Sequence, residues 1–373
     1  MLKRLLFYVL NFYILIILSM FPFMESANQS IAMSGNICPF NVFEKIKQII
    51  IPSAKVEEGL ESAERLKVYV SGRPIGFSID GAGVVVVTMG EIKTSEGYVN
   101  SPCLDAGIQS GDIIKKVDGI DITSGERLID VVNSRNGGLC NIEFVRDGES
   151  RVVGVQPVFD EFALSYRLGV RVRDNAVGVG TVTYVTQDDS FSALGHPITD
   201  LDTSTIFPVG DGSVYKCSII GVKKGVKGEP GELKGLFLKT SNEVGMVLSN
   251  TTAGVRGRFV SGEASAMFKD SELTEVALRK EVKAGDASIY TTIDGSEPKH
   301  YKIEIIKTNH INAYGNKCMV IRITDEELLA RTNGIVQGMS GSPIIQNGKL
   351  VGCVTHVFIN DPAKGFADFI DLN

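Results

Sequence analysis

The chain has 373 residues, 43% of them hydrophobic, with 40 glycines and a formal net charge of -6. That length exceeds one ordinary domain and suffices for two cores plus a tether; the negative balance, with no basic stripe to neutralise phosphates, excludes a nucleic-acid surface. The six cysteines, Cys38, Cys103, Cys140, Cys217, Cys318 and Cys353, form no CxxC pair and no His/Cys cluster at ligand spacing. This argues against a metal centre or a disulfide framework, and they read as small buried hydrophobes. No metal and no cofactor is expected.

Lys3 and Arg4 precede an apolar run from Leu5 to Met24, interrupted by Asn11, Ser19 and Pro22. About 20 residues at about 1.5 Å each cross a hydrocarbon core about 30 Å thick. The basic flank stays in the cytoplasm and sends the rest outward. The run therefore reads as a signal-anchor helix over residues 1–24, in preference to the alternative of a signal peptide cleaved near Ser30 and Ala32; either way the remainder is exported. Residues 25–66 are polar and mildly helical, a linker.

From Val68 the pattern changes to short β-rich runs and glycine turns, with Val84 to Val87 a buried-strand signal. Ser101-Pro102 opens a short helix, Gly107 ends it, Ile113 and Ile114 enter a strand, and Asp118-Gly119 turns the chain. A second helix is expected over Thr123 to Asn133 and a last strand around Asn141 to Arg146. The stretch from Ser101 to Gly119 resembles the PDZ domains of bacterial proteases, and residues 67–155 are assigned to such an α+β domain. PDZ domains bind a peptide as an added strand and take its terminal carboxylate on loop amides. Pro74-Ile75-Gly76-Phe77 stands where that loop belongs, so Ile75, Gly76 and Phe77 are the expected peptide-binding residues. A substrate tail, a partner tail and another segment of this chain are the candidate ligands.

Residues 156–373 are rich in Gly, Val, Ile and Thr with frequent turns, an all-β pattern. Near the end stands Gly338-Met339-Ser340-Gly341-Ser342-Pro343, followed by Gly348-Lys349-Leu350-Val351-Gly352 and a strand reaching Thr355-His356. It resembles the nucleophile segment of chymotrypsin-like proteases. A nucleophilic serine needs a tight turn that projects Oγ while nearby N–H groups converge; Gly338 and Ser340 are the expected oxyanion donors. Serine also needs a general base. His196, in Phe191-Ser192-Ala193-Leu194-Gly195-His196-Pro197, precedes the serine in the chymotrypsin order and is preferred over His300 and His310, which read as surface residues. Thr355 and His356 lie on the strand expected to pair with substrate and wall its pocket. The α/β-hydrolase order is rejected, because acid and histidine there follow the serine. For the acid, Asp270, Asp286, Asp294 and Asp325 are candidates, and spacing favours the first three.

The apolar leader, the PDZ pattern, the His196 segment, Gly334-Ile335-Val336-Gln337 before the nucleophile turn and Val354 to Pro362 after it together resemble the stage IV sporulation protein B peptidases of endospore-forming Firmicutes. The resemblance implies a mainly β chain: signal-anchor, PDZ domain, then a chymotrypsin-like double β-barrel protease domain. It implies a Ser-His-Asp endopeptidase with Ser340, His196 and, just ahead of the nucleophile segment, Asp325. It further implies a signalling protease exported to the forespore intermembrane space, which cuts its own N-terminal segment and then a membrane-associated regulator, activating the mother-cell sigma factor K pathway. Expected partners are thus protein substrates, its own leader, a PDZ ligand tail in cis or trans, and the membrane. The C-terminal Gly365-Phe366-Ala367-Asp368-Phe369-Ile370 departs from the family pattern, which bears on the substrate more than the catalysis. Competing functions are a non-catalytic PDZ adaptor, a paralogue with another substrate and, least favoured, a stress-response protease, where the PDZ domain usually follows the catalytic one.

Overall fold

The computed structural model describes residues 65–237, 243–267, 271–309 and 317–370. Alternating apolar and polar residues between glycine turns produce strands, and twelve of these close two six-membered antiparallel rings. The first ring is built from β1 (Pro74–Met89), β2 (Val170–Val185), β3 (Ser190–Ala193), β4 (Val209–Lys216), β5 (Glu243–Thr251) and β6 (Gly254–Phe259). Its order is β1-β2-β3-β6-β5-β4, and β4 pairs back onto β1. The second ring contains β7 (Gly285–Thr291), β8 (Lys299–Thr308), β9 (Met319–Ile323), β10 (Pro343–Gln346), β11 (Lys349–Val357) and β12 (Lys364–Phe369), in the order β7-β8-β9-β12-β11-β10. Closure leaves these strands without the unpaired edges of an open sheet.

Each ring has its own core. Ile75, Phe77, Ile79, Val182, Phe191 and Phe207 fill the first; Ile289, Ile303, Ile305, Ile321, Met339 and Val354 fill the second. Burying side chains of this size contributes about 1.5–3 kcal/mol each, so each ring holds together through its own interior.

A third core belongs to a unit inserted into the first ring. Strands β1 and β2 are both 16 residues long. They pair from Pro74↔Thr181 to Asp80↔Asn175 within the ring, then continue past register shifts to Met89↔Val170. Between the halves of this ladder the chain makes the inserted unit, in which Val84 and Val85 of β1 pair with Ile114 and Ile113. The local expectations hold here. Ser101 Oγ caps helix Pro102–Asp105 by accepting the Leu104 N–H at 3.2 Å, Gly107 adopts φ +88° after it, and Asp118-Gly119 turns at φ 50° and 79°. Helix Gly125–Ser134 buries Leu128, Val131 and Val132, and strand Cys140–Arg146 follows. Asp112, nearly fully buried, takes both Nε and Nη2 of Arg146 at 2.7 and 2.6 Å.

Two boundaries differ from the sequence reading. Strand Lys67–Val70 and the first half of β1 were expected in the PDZ domain of residues 67–155. Instead Tyr69 pairs with Val185, and Pro74 to Asp80 are a seam of the first ring. The ring therefore starts before the inserted unit and resumes after it, which a linear division at residue 156 does not allow. The expected signal-anchor and, but for Arg65 and Leu66, the expected linker lie outside the described residues; among those described, no helix is long and apolar enough to cross a membrane. Cys103, Cys140, Cys217, Cys318 and Cys353 are buried, with burial raising the Cys103 and Cys353 thiols to about 12.

Candidate active site

A cleft of about 1040 Å³ brings side chains of both rings together. Val177, Val179 and His196 line it from the first ring side; Gln337, Ser340 and His356 line it from the second.

His196 arrives there because β3 ends in two left-handed residues, Leu194 at φ 69° and Gly195 at φ 68°. Glycine is required at 195: a Cβ would stand 2.6 Å from Cys353 Sγ and 3.1 Å from the Thr355 methyl on β11. The segment after His196 is fixed by Asn250, whose side chain accepts the Ile198 N–H at 2.8 Å and donates to the carbonyls of Ile198 and Phe207 at 2.7 and 3.0 Å. Sequence reasoning missed Asn250, since a lone asparagine on a strand gives no signal of its distant partners. Farther along, buried Asp200 pairs with Arg173 and accepts the Asp202 and Thr203 N–H groups.

His196 Nδ1 lies 2.9 Å from the Pro197 carbonyl oxygen. A carbonyl only accepts, so Nδ1 carries the hydrogen and Nε2 keeps the lone pair. Burial pulls the His196 pKa below its ordinary value, against the Pro197 bond that raises it. The ring is thus held neutral in the tautomer a general base needs.

Ser340 sits in the turn between Gly338 and Pro343. Met339 N–H donates to Val336 O at 3.1 Å and Ser342 N–H to Met339 O at 2.9 Å, while buried Met339 anchors the turn in the second core. Gly341, at φ +91°, lies so close to β2 and the His196 loop that a Cβ would overlap the Thr181 carbonyl oxygen and the Leu194 nitrogen. The Ser340 hydroxyl donates to Thr355 O at 3.0 Å. The N–H groups of Gly338 and Ser340 donate to no partner among the described residues.

His356 faces His196, ring centroids 5.2 Å apart and 37° between planes. Its Nδ1 is buried without a hydrogen-bond partner. Burial, then the nearby His196 and Lys317, lowers its pKa to about 4. Thr355, beside it, is buried at the base of the cleft.

Other expected residues fall elsewhere. Asp325 caps helix Glu326–Thr332: its Oδ1 accepts the Leu328 N–H at 3.0 Å and its Oδ2 the Lys302 N–H at 3.2 Å. It is not among the residues lining the cleft, where Glu232 is the carboxylate present. Asp294 pairs with Arg331 at 3.2 Å, Asp286 is exposed on β7, and Asp270 and His310 lie outside the described residues. His300 stacks on Tyr290 at 4.4 Å, away from the cleft. The expectation that Ile75, Gly76 and Phe77 form a carboxylate-binding loop is corrected. All three are buried near the start of β1 and already within its ladders, Gly76 paired with Val179 on one side and Tyr215 on the other, so no loop amides are presented. The inserted unit has instead a groove of about 460 Å³, walled by Leu128, Ile129 and Val132 of its second helix and by Leu168 to Val172. The chain's own Tyr166 lies beside that helix, its N–H donating to Asn133 Oδ1 at 2.8 Å.

Comparison with known proteins finds no match among curated proteins. Among solved structures, the PDZ domain of the SdrC-like protein from Listeria monocytogenes is 20% identical over 24% of this chain and 87% of its own, with a TM-score of 0.20. Rv3671c from M. tuberculosis H37Rv, an inactive serine-to-alanine mutant, is 14% identical over 51% of this chain and 76% of its own, with a TM-score of 0.26. Family comparison is more specific. Residues 164–372, more than half of the chain and the whole of the stretch that carries His196 and Ser340, match the family described as SpoIVB peptidase S55. The chain belongs to the SpoIVB peptidase S55 family.

Proposed function

We propose that the protein is a serine endopeptidase with a chymotrypsin-like double barrel, in which Ser340 is the nucleophile and His196 the general base. The observation that carries this is the contact of His196 Nδ1 with the Pro197 carbonyl, which leaves Nε2 to take a proton, in the same cleft as a serine whose turn leaves two N–H groups unengaged among the described residues. The hydroxyl leaves the Thr355 carbonyl by rotation about one χ1 bond. As Oγ attacks a substrate carbonyl carbon, His196 Nε2 takes its proton. The resulting oxyanion is met by the N–H groups of Gly338 and Ser340. His196 then gives the proton to the leaving amine, and water hydrolyses the acyl-enzyme by the same route. In this reading the Pro197 carbonyl performs the task given to the acid of a triad, fixing tautomer and orientation.

The family match and the cleft support protein substrates, and the groove beside helix Gly125–Ser134 supports peptide binding by a PDZ-like unit, in cis or trans. Following the family resemblance, we place the protein across the cytoplasmic membrane behind an N-terminal anchor, facing the forespore intermembrane space, where it cuts its own leader and a membrane-associated regulator of the sigma factor K pathway. Ser340→Ala lowers kcat on the order of a millionfold, so N-terminal sequencing of secreted fragments is expected to find a processed form from wild type and none from the variant. Identical processing in both removes the catalytic reading and favours a PDZ adaptor.

A further inference from the structure

Strand β2 does more than close the first ring. Thr181 and Thr183 are two apart on a pleated strand, so their side chains face the same way, and both hydroxyls reach across the seam to the nucleophile turn. Thr181 Oγ1 donates to Gly338 O at 2.7 Å and Thr183 Oγ1 to Gly341 O at 2.8 Å. The main chain of Thr181 completes the junction, its N–H donating to Ser340 O at 3.3 Å and its carbonyl accepting the Leu194 N–H at 3.2 Å. Leu194 is two residues ahead of His196. One residue is thereby bonded to the glycine of the expected oxyanion hole, to the nucleophile's own carbonyl and to the loop that carries the base.

We propose that Thr181 is a positioning residue of the peptidase, holding the Ser340 turn and the His196 loop at one fixed separation, with Thr183 as the second anchor. The inference rests on the serine-peptidase reading above. The Gly338 carbonyl and the Met339 N–H share one planar peptide, which lies between the two peptides that carry the Gly338 and Ser340 N–H groups. With Gly338 O and Ser340 O bonded to β2, these two oxygens face away from the place where a developing oxyanion needs donors. Without the Thr181 hydroxyl the 338–339 peptide keeps one hold, the Met339 N–H on Val336 O, and its carbonyl is able to tilt, bringing a partial negative charge towards that place. Thr181 and Thr183 are buried and do not line the cleft, so their removal acts on turnover and leaves substrate affinity unchanged.

The test uses the full chain in detergent, with fluorescein-labelled casein as substrate and a fluorophosphonate as a probe of Ser340. Thr181→Val keeps the shape and deletes the hydroxyl; Thr181→Ser keeps the hydroxyl and deletes the methyl. Thr181→Val is expected to lower kcat about 10- to 100-fold, the cost of a small misplacement, with KM unchanged and fluorophosphonate labelling slowed to match. Thr181→Ser restores most of both. Wild-type labelling speed in Thr181→Val, or an equal loss in Thr181→Ser, overturns the inference while the peptidase reading stands. A wild-type chain that is never labelled at Ser340 defeats that reading, and the positioning role with it. Should Thr181→Val not fold by circular dichroism, Thr183→Val supplies the comparison: slowed labelling supports the inference and unchanged labelling overturns it.

Discussion

At the scale of single residues, the cleft is governed by two imidazoles that are both disfavoured as cations. His356 stays neutral in the folded protein down to about pH 4, through burial and the neighbouring His196 and Lys317, whereas an exposed histidine takes a proton near pH 6.5. Between these values the unfolded chain binds more protons than the folded one, so stability falls as pH is lowered through that window. His356→Gln removes the titration, and its thermal midpoint is expected to vary less than that of wild type between pH 6.5 and 4. Parallel curves would show that His356 does not titrate in this way. The lowered pKa of His196 has the same sign, keeping the base neutral below the ordinary histidine range. The meeting of Ser340, His196 and His356 in one cleft was legible in the sequence, because nucleophile turns and the loops facing them consist of contiguous residues. The Pro197 carbonyl was not, since a backbone oxygen carries no side-chain signature.

At the scale of elements, Asp325 separates what a motif implies from what a carboxylate does. It precedes Glu326-Glu327-Leu328, and an aspartate there is a strong helix N-cap signal. Both of its oxygens accept backbone N–H groups. Asparagine caps a helix about as well as aspartate, while alanine costs about 0.5–2 kcal/mol. Asp325→Ala is therefore expected to lose stability by that amount; Asp325→Asn keeps the cap with its one side-chain oxygen but not the bond to the Lys302 N–H, so it is expected to lose less in chemical denaturation and to match wild type in turnover. A large loss of turnover in Asp325→Asn at unchanged stability would reinstate it as the acid. Turns and caps of the inserted unit, from Ser101 to the Asp118-Gly119 turn, could be read in advance because each depends on two to four adjacent residues. Gly76-Phe77 misled for the complementary reason. Glycine before an aromatic residue suits a binding loop, but here Gly76 is a place where the Phe237 ring packs on bare backbone, a contact between residues far apart in the chain.

At the scale of the whole molecule, sequence order and spatial order part company. A fragment beginning at residue 156 keeps His196 and Ser340 but lacks β1, and with it Phe77 and Ile79 from the first core and the strand between β4 and β2. Its first ring is expected to open while the second keeps its own core, so that the fragment loses part of the near-ultraviolet circular dichroism of packed aromatics and melts with a smaller unfolding enthalpy than the full chain. Joining Asp80 to Asn175, which are paired in the ladder, by a short turn is expected to keep a cooperative melt. An unfolding enthalpy from the fragment that begins at residue 156 equal to that of the joined chain would show that β1 is dispensable.

The β1–β2 ladder also bears on the order of events at synthesis. Chains emerge from the N-terminus, so β1 appears long before the strand that must pair with it, and an unpaired apolar strand is prone to misassociation. Closing so long a loop as flexible chain carries an entropic cost and slows folding. The inserted unit has its own core and local contacts. Folding first, it would bring Met89 and Val170 together and let the ladder zip from there towards Thr181, so that the hydroxyl holding the nucleophile turn falls into place last.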